Sequence, residues 1–89
     1  MSNFELVFKS ISHRSRREIL SLLKKKEHPM NSHELKQYFS FSWPTLCKHL
    51  DCLLAAKLVT KTKEGREVYY KINRQRLLGV VKTWVVSFE

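Results

Sequence analysis

Glycine and proline are scarce in this chain, with two of each among 89 residues. So little loosening of the backbone leaves no flexible linker and no domain boundary, and no repeat or low-complexity segment is present. Cysteine is equally sparse. Cys47 and Cys52 are the only two. That is too few for the disulfide framework of a small secreted scaffold, so the reading is a reducing cytoplasm with both thiols free. No apolar run approaches the ~18 residues of a membrane span. The stretch Met1-Ser2-Asn3-Phe4-Glu5-Leu6 has an acid and no basic segment before a long apolar core, so no secretory signal is expected. Enzymatic constellations are missing too. There is no glycine-rich phosphate loop and no His-Glu-x-x-His pair. Cys47 and His49 point about 160° apart on a helix and cannot act as nucleophile and base. No enzyme is expected. Acids are the last scarcity: 8 Asp plus Glu stand against 17 Lys plus Arg, a formal net charge of +9.

That surplus calls for a polyanionic partner, either nucleic acid or an anionic membrane surface. Hydrophobic residues at 43% and aromatics at 11% supply a small core, enough for a single domain over 1–89. The periodicity predicts a mainly α fold of five helices with one β-hairpin. Phe4, Val7, Phe8 and Ile11 form the stripe of a first helix. Ser12 or Ser15 starts a second, Ser15 with Glu18 fitting a capping box, and Lys24-Lys25-Lys26 closes it before His28-Pro29. Ser32 is the expected cap of a third helix over 33–39. Ser42, with Pro44 in the first turn, starts a fourth over 43–56. The period then becomes two: residues 58–62 and 68–72 read as strands joined through Lys63-Glu64-Gly65-Arg66. Asn73 caps a last helix with an apolar face of Leu77, Leu78, Val81, Trp84, Val85 and Phe88.

Helices 33–39 and 43–56, separated by three residues, have the spacing of a helix-turn-helix, whose second helix enters the major groove of DNA. Leu46, Leu50, Leu53 and Leu54 give the helix at 43–56 an inward stripe. Thr45, Lys48, His49 and Cys52 are expected on the other side. Thr45, Lys48 and His49 are hydrogen-bonding types suited to base edges. An ordinary amphipathic surface helix has the same pattern. The basic hairpin that follows tips the balance toward a wing, with Lys61, Lys63 and Arg66 on phosphates or in a minor groove, although lysine also guards exposed strand edges. Arg14, Arg16, Arg17 and Lys36 are further phosphate candidates.

The order and spacing of five segments resemble the ArsR-type winged-helix repressors over nearly the whole chain. They are Ser12-His13-Arg14-Ser15-Arg16-Arg17-Glu18-Ile19-Leu20, His33-Glu34-Leu35, Phe41-Ser42-Trp43-Pro44-Thr45-Leu46-Cys47-Lys48-His49-Leu50, Ala56-Lys57-Leu58-Val59 and Glu64-Gly65-Arg66-Glu67-Val68-Tyr69-Tyr70. The resemblance implies a bacterial homodimeric repressor on a palindromic operator, dimerised through its first and last helices. Here those helices carry Phe4, Val7, Phe8, Leu77, Val81, Trp84, Val85 and Phe88. Four positions depart from the family's pattern. His13-Arg14 stands where Asp-Pro is common, Lys57 where Gly is common, and Trp43 where a polar base reader is common. Lys57 therefore falls at a helix end where left-handed backbone costs about 1 kcal/mol. Trp43 either stacks on DNA or packs over the turn against Leu46 and Phe39.

Two thiols about 140° apart on one helix cannot share an ion or a bond. The last helix has no His and only the terminal Glu89, and His28 with His33 alone makes a weak site. No metal or other cofactor is therefore expected. Cys47 is expected to pack near the inner stripe and Cys52 to be the more exposed thiol, each most simply inert. Independently of any family, Trp84, Val85 and Phe88 would leave an apolar patch on so small a chain unless two copies pair. Two other readings stay open: a winged-helix module that binds protein, and the same repressor gated by metal or thiol oxidation through an unidentified effector.

Overall fold

Capping side chains mark where the second to fifth helices of the computed structural model begin; the structure describes residues 3–89. Helix α1 spans Asn3–Ile11 and α2 spans Arg14–Lys26. The cap of α2 is His13, whose Nδ1 accepts from the Ser15 amide at 3.2 Å, not Ser12 or Ser15. Glu18 therefore closes no capping box; it accepts from Arg14 Nε at 2.9 Å. Glu27 ends α2 in left-handed backbone at φ 59°, its amide bonded back to the Leu23 carbonyl. Helix α3, Ser32–Lys36, is capped one residue earlier than expected. Asn31 and Glu34 make a complete capping box, with Glu34 N donating to Asn31 Oδ1 at 2.8 Å and Asn31 N to Glu34 Oε1 at 3.2 Å. The helix also ends earlier. Residues 37–39 continue it only as tight turns, so six residues, not three, separate it from α4, Trp43–Ala55.

Strands β2 (Val59–Glu64) and β3 (Glu67–Ile72) pair along their length, leaving Gly65-Arg66 as the turn. Gly65 sits at φ 61°, the positive value that glycine takes most readily at the first position of such a turn. Met30–Asn31 forms a short strand, β1, against Tyr70 and Tyr69, making a three-stranded antiparallel sheet in the order β1-β3-β2. Two residues after a proline carry no readable alternation, so the hairpin alone was legible. Helix α5 runs Arg74–Val86. Its cap, Asn73, does two things: Oδ1 accepts from the Arg76 amide at 3.2 Å and Nδ2 donates to the Lys57 carbonyl at 3.1 Å. Lys57 takes φ 62° there, as its place at the helix end predicts. One asparagine thus ties the end of α4, the root of the hairpin and the start of α5 together.

The core is aliphatic and continuous. Val7, Ile19, Leu23, Leu35, Leu46, Leu50, Leu53 and Leu58 meet at its centre, and Met30, Val59 and Val80 seal the sheet and α5 onto it. Val80 is the one fully buried residue of α5. The face of that helix read as apolar is left half-buried or exposed.

Candidate nucleic-acid interface

Helix α4 is fixed at both ends and along one side. Ser42 Oγ accepts from the Thr45 amide, and Pro44 occupies the first turn where no N–H is needed. At about 100° per residue, His49, Leu53, Leu46 and Leu50 fall on one contiguous arc, and all four are buried. The opposite arc runs through Cys47, Asp51, Pro44, Ala55 and Lys48, all exposed. Thr45 and Cys52 lie half-buried on its margin. The outward face is therefore rotated from the expected one. Lys48 is on it. Thr45 is at its edge, its hydroxyl accepting from Ser42 Oγ at 3.0 Å and keeping its own proton to donate. His49 is not on it. The two thiols exchange places, Cys47 outside and Cys52 partly covered. Asp51 and Cys47 are face residues that the reading missed. Tracing the buried arc through His49 instead of through Leu54 would have found them. Trp43 remains 41% exposed, and its ring meets the His33 ring edge-on at 5.0 Å.

His49 is 5% exposed. Its Nδ1 accepts from Arg16 Nε at 3.3 Å, its ring lies 4.6 Å from that of His13, and Phe41 meets it edge-on at 5.4 Å. Burial, then the neighbouring His13, Arg16 and Lys48, hold its pKa below the usual histidine value. A neutral imidazole can accept from a guanidinium, and this contact locks the middle of α4 to the start of α2.

The hairpin stands beside α4. Residues directly opposite in a sheet share a face. The register groups Val59, Lys61 and Lys63 with Ile72, Tyr70 and Val68. Val59 is buried at the root of this face, and Tyr70 is half-buried. Burial, followed by Cys47 and Asp51 of α4, pushes the Tyr70 hydroxyl above the usual tyrosine value. Lys61 and Lys63 are thus exposed on the same face of the hairpin as Tyr70, the residue that feels α4. Arg66 is exposed at the tip, between Glu64 and Glu67, which face each other across the ladder.

A family model described as the bacterial regulatory protein, arsR family, matches residues 13–61, from the cap of α2 into β2. The chain belongs to the bacterial ArsR family. It is 33% identical over 82 residues to the transcriptional repressor SdpR of Bacillus subtilis (strain 168), covering 92% of this chain and 88% of that protein. It is 36% identical over 76 residues to the arsenical resistance operon repressor of Staphylococcus aureus, covering 85% of this chain and 71% of that one. The solved structure of an ArsR-like transcriptional regulator from Rhodococcus sp. RHA1 superposes with a TM-score of 0.80 at 30% identity, over 91% of this chain and 74% of that one. The protein is thus a DNA-binding transcriptional regulator with a winged helix-turn-helix fold, a class without enzymatic activity.

The remaining candidates of this ArsR-family chain divide by what they touch. Arg14 is exposed but paired with Glu18. Arg16 is half-buried on His49 and on the Lys9 carbonyl, and Arg17 donates to the Ile11 carbonyl at 2.8 Å. Both therefore tie α1 to α2. Lys36 is half-buried. Among the terminal-helix residues Val7 is wholly buried in its own core, so it offers no surface to a second copy. Phe4 is exposed; Phe8, Leu77 and Val81 are half-buried. Trp84 is 52% exposed and edge-on to Phe8 at 5.6 Å, with Val85 at 51% and Phe88 at 73% beyond it. Among the described residues no group of three or more His, Cys, Asp or Glu is placed to hold a metal ion. His28 turns to the Pro29 carbonyl and His33 to Trp43. No helix among them is long and apolar enough to cross a membrane.

Proposed function

We propose that this regulator is a dimeric, metal-independent repressor of a palindromic operator, the whole chain serving as one DNA-binding domain. The exposed arc of α4 enters the major groove, where Lys48 and Thr45 read base edges and Trp43 contacts sugar or a thymine methyl. Asp51 on the same arc suits an acceptor role toward cytosine N4. Lys61, Lys63 and Arg66 hold phosphates beside it, with Arg14 at the start of α2. His49 positions the helix from behind. One observation carries this reading: Tyr70, on the same face of the wing as Lys61 and Lys63, feels Cys47 and Asp51 on the exposed arc of α4, so the two surfaces adjoin. Two protomers related by a two-fold axis through α1 and α5 would present two such helices one DNA turn, ~34 Å, apart.

Operator sequences selected from a random duplex library provide the test. With roughly six phosphates neutralised, affinity should fall roughly 10³-fold between about 50 and 200 mM salt. Lys48→Ala should cost about 1–3 kcal/mol on the selected operator and much less on random DNA. Lys63→Ala should weaken both alike and lower the salt slope by about one. A flat salt response points instead to a protein-binding module. Operator affinity altered by chelator, Zn²⁺ or peroxide would overturn the ungated form of the proposal.

A further inference from the structure

We propose that a recess between α2, the root of the wing and the start of α5 binds a small amphipathic carboxylate, an aliphatic acid of medium chain length. The recess encloses about 220 Å³. Leu20 of α2, Ile72 of β3, and Leu77 and Leu78 of α5 form its carbon walls. Lys24 and Arg74 line it as well, and no acid does. An adjoining hollow of about 230 Å³ shares Lys24, Ile72 and Arg74 and adds Lys71; its one acid, Glu27, does not line the first recess. No residue of α4 lines either hollow, so the site is separate from the DNA-reading surface.

The state of the cations selects the ligand. Arg14, Arg16 and Arg17, on the same helix α2, each donate to an acid, a histidine or a carbonyl. Among the described residues the side chains of Lys24, Lys71 and Arg74 make no hydrogen bond or ion pair. Unspent positive charge at the mouth of a hydrocarbon pocket favours a molecule with both features, since burying the tail removes apolar surface from water while the carboxylate meets Arg74 and Lys24. A neutral hydrocarbon leaves the charge unused and an alkylammonium is repelled. A phosphodiester backbone has no tail to fill the walls. The volume is below that of drug-sized pockets, ~300–1,000 Å³, which limits the ligand to a short or medium chain.

Titration of the full-length protein with octanoate, octylamine and 1-octanol, followed by backbone amide NMR, tests the site without DNA. Octanoate should give saturable shifts at the Leu20, Ile72 and Leu78 amides. Octanol should bind about ten-fold more weakly, and octylamine not at all. Replacing Lys24 and Arg74 together by Gln should weaken octanoate about ten-fold, to the level of octanol. Ser21→Trp, at an exposed position on the lip, should block octanoate and octanol while both cations remain. Unchanged core resonances verify that each variant is folded. Equal affinity for the three head groups, no effect of the Gln pair, or no saturable shift overturns the proposal. If no ligand moves these amides and dilution of the protein does, a second copy fills the recess and the proposal likewise falls.

Discussion

At His49 an apolar ring position and a polar side chain meet on one residue. Its ring completes the buried arc of α4, and its nitrogen takes a proton donor from Arg16. Burial disfavours the protonated ring, and the neighbouring His13, Arg16 and Lys48 disfavour it further, which is why the folded chain holds the pKa below 6.5. The unfolded chain therefore takes up that proton first. Stability from this residue is fully present above pH 6.5, declines as pH falls below it, and is lost once pH passes through the lowered folded value. His49→Gln keeps an acceptor but cannot titrate. Urea unfolding of the variant should show a shallower loss of stability between neutral pH and pH 5 than the parent. An identical slope in both would remove His49 as the source. Lys57 and Glu27 carry a different residue-scale burden, each a non-glycine at φ near 60° at a helix end. Left-handed backbone costs an L-residue about 1–2 kcal/mol, more than the ~0.5–1 kcal/mol of extra chain entropy glycine brings. Lys57→Gly should raise the urea midpoint by the equivalent of about 0.5–1 kcal/mol with an unchanged slope, and a lowered midpoint would count against the strain argument.

Elements differ in how much of themselves they show in sequence. Helix α4 announces its start through Ser42 and Pro44, and α5 through Asn73, because a cap is a local chemical event. The phase of α4 was harder to read. Polarity placed His49 outside, whereas the group that satisfies its nitrogen lies 33 residues away on α2 and leaves no local mark. Asn31 and Ser32 are both competent caps one residue apart, and only the Glu34 amide decides between them. Strand β1 is invisible for the same reason: its two residues become a strand only through Tyr69 and Tyr70. Asn73 is where a legible cap hides a second, long-range task. Asn73→Asp keeps the acceptor for the Arg76 amide and loses the donor to the Lys57 carbonyl; Asn73→Ala loses both. Alanine should cost about 1–2 kcal/mol. Aspartate should cost less, yet both should speed hydrogen exchange of the β2 amides near the wing root. Exchange that is fast in the alanine variant alone would confine Asn73 to capping.

At the scale of the molecule, two exposed surfaces differ in kind. One is cationic, the wing and the free arc of α4. The other is apolar, the outer side of α5 from Val85 at 51% exposed to Phe88 at 73%. Water tolerates the first and penalises the second, so the second is the stronger argument for a homodimer. The two are coupled if operator binding needs two half-sites held together, because the joined helix then binds at high effective concentration. The variant must spare the protomer's own packing. Trp84 rests on Phe8 and Phe88 rests on Trp84, so neither is a clean choice. Val85→Glu places a charge on the exposed side without touching those rings. It should give a monomer by sedimentation equilibrium at micromolar concentration, with the urea midpoint of the monomer near that of the diluted parent. Affinity for a full palindrome should drop about 100-fold or more, while affinity for an isolated half-site stays the same. A dimer that survives Val85→Glu places the two-fold contact elsewhere on the chain, and a monomer that still binds the palindrome at parental strength removes dimerisation from the mechanism of repression.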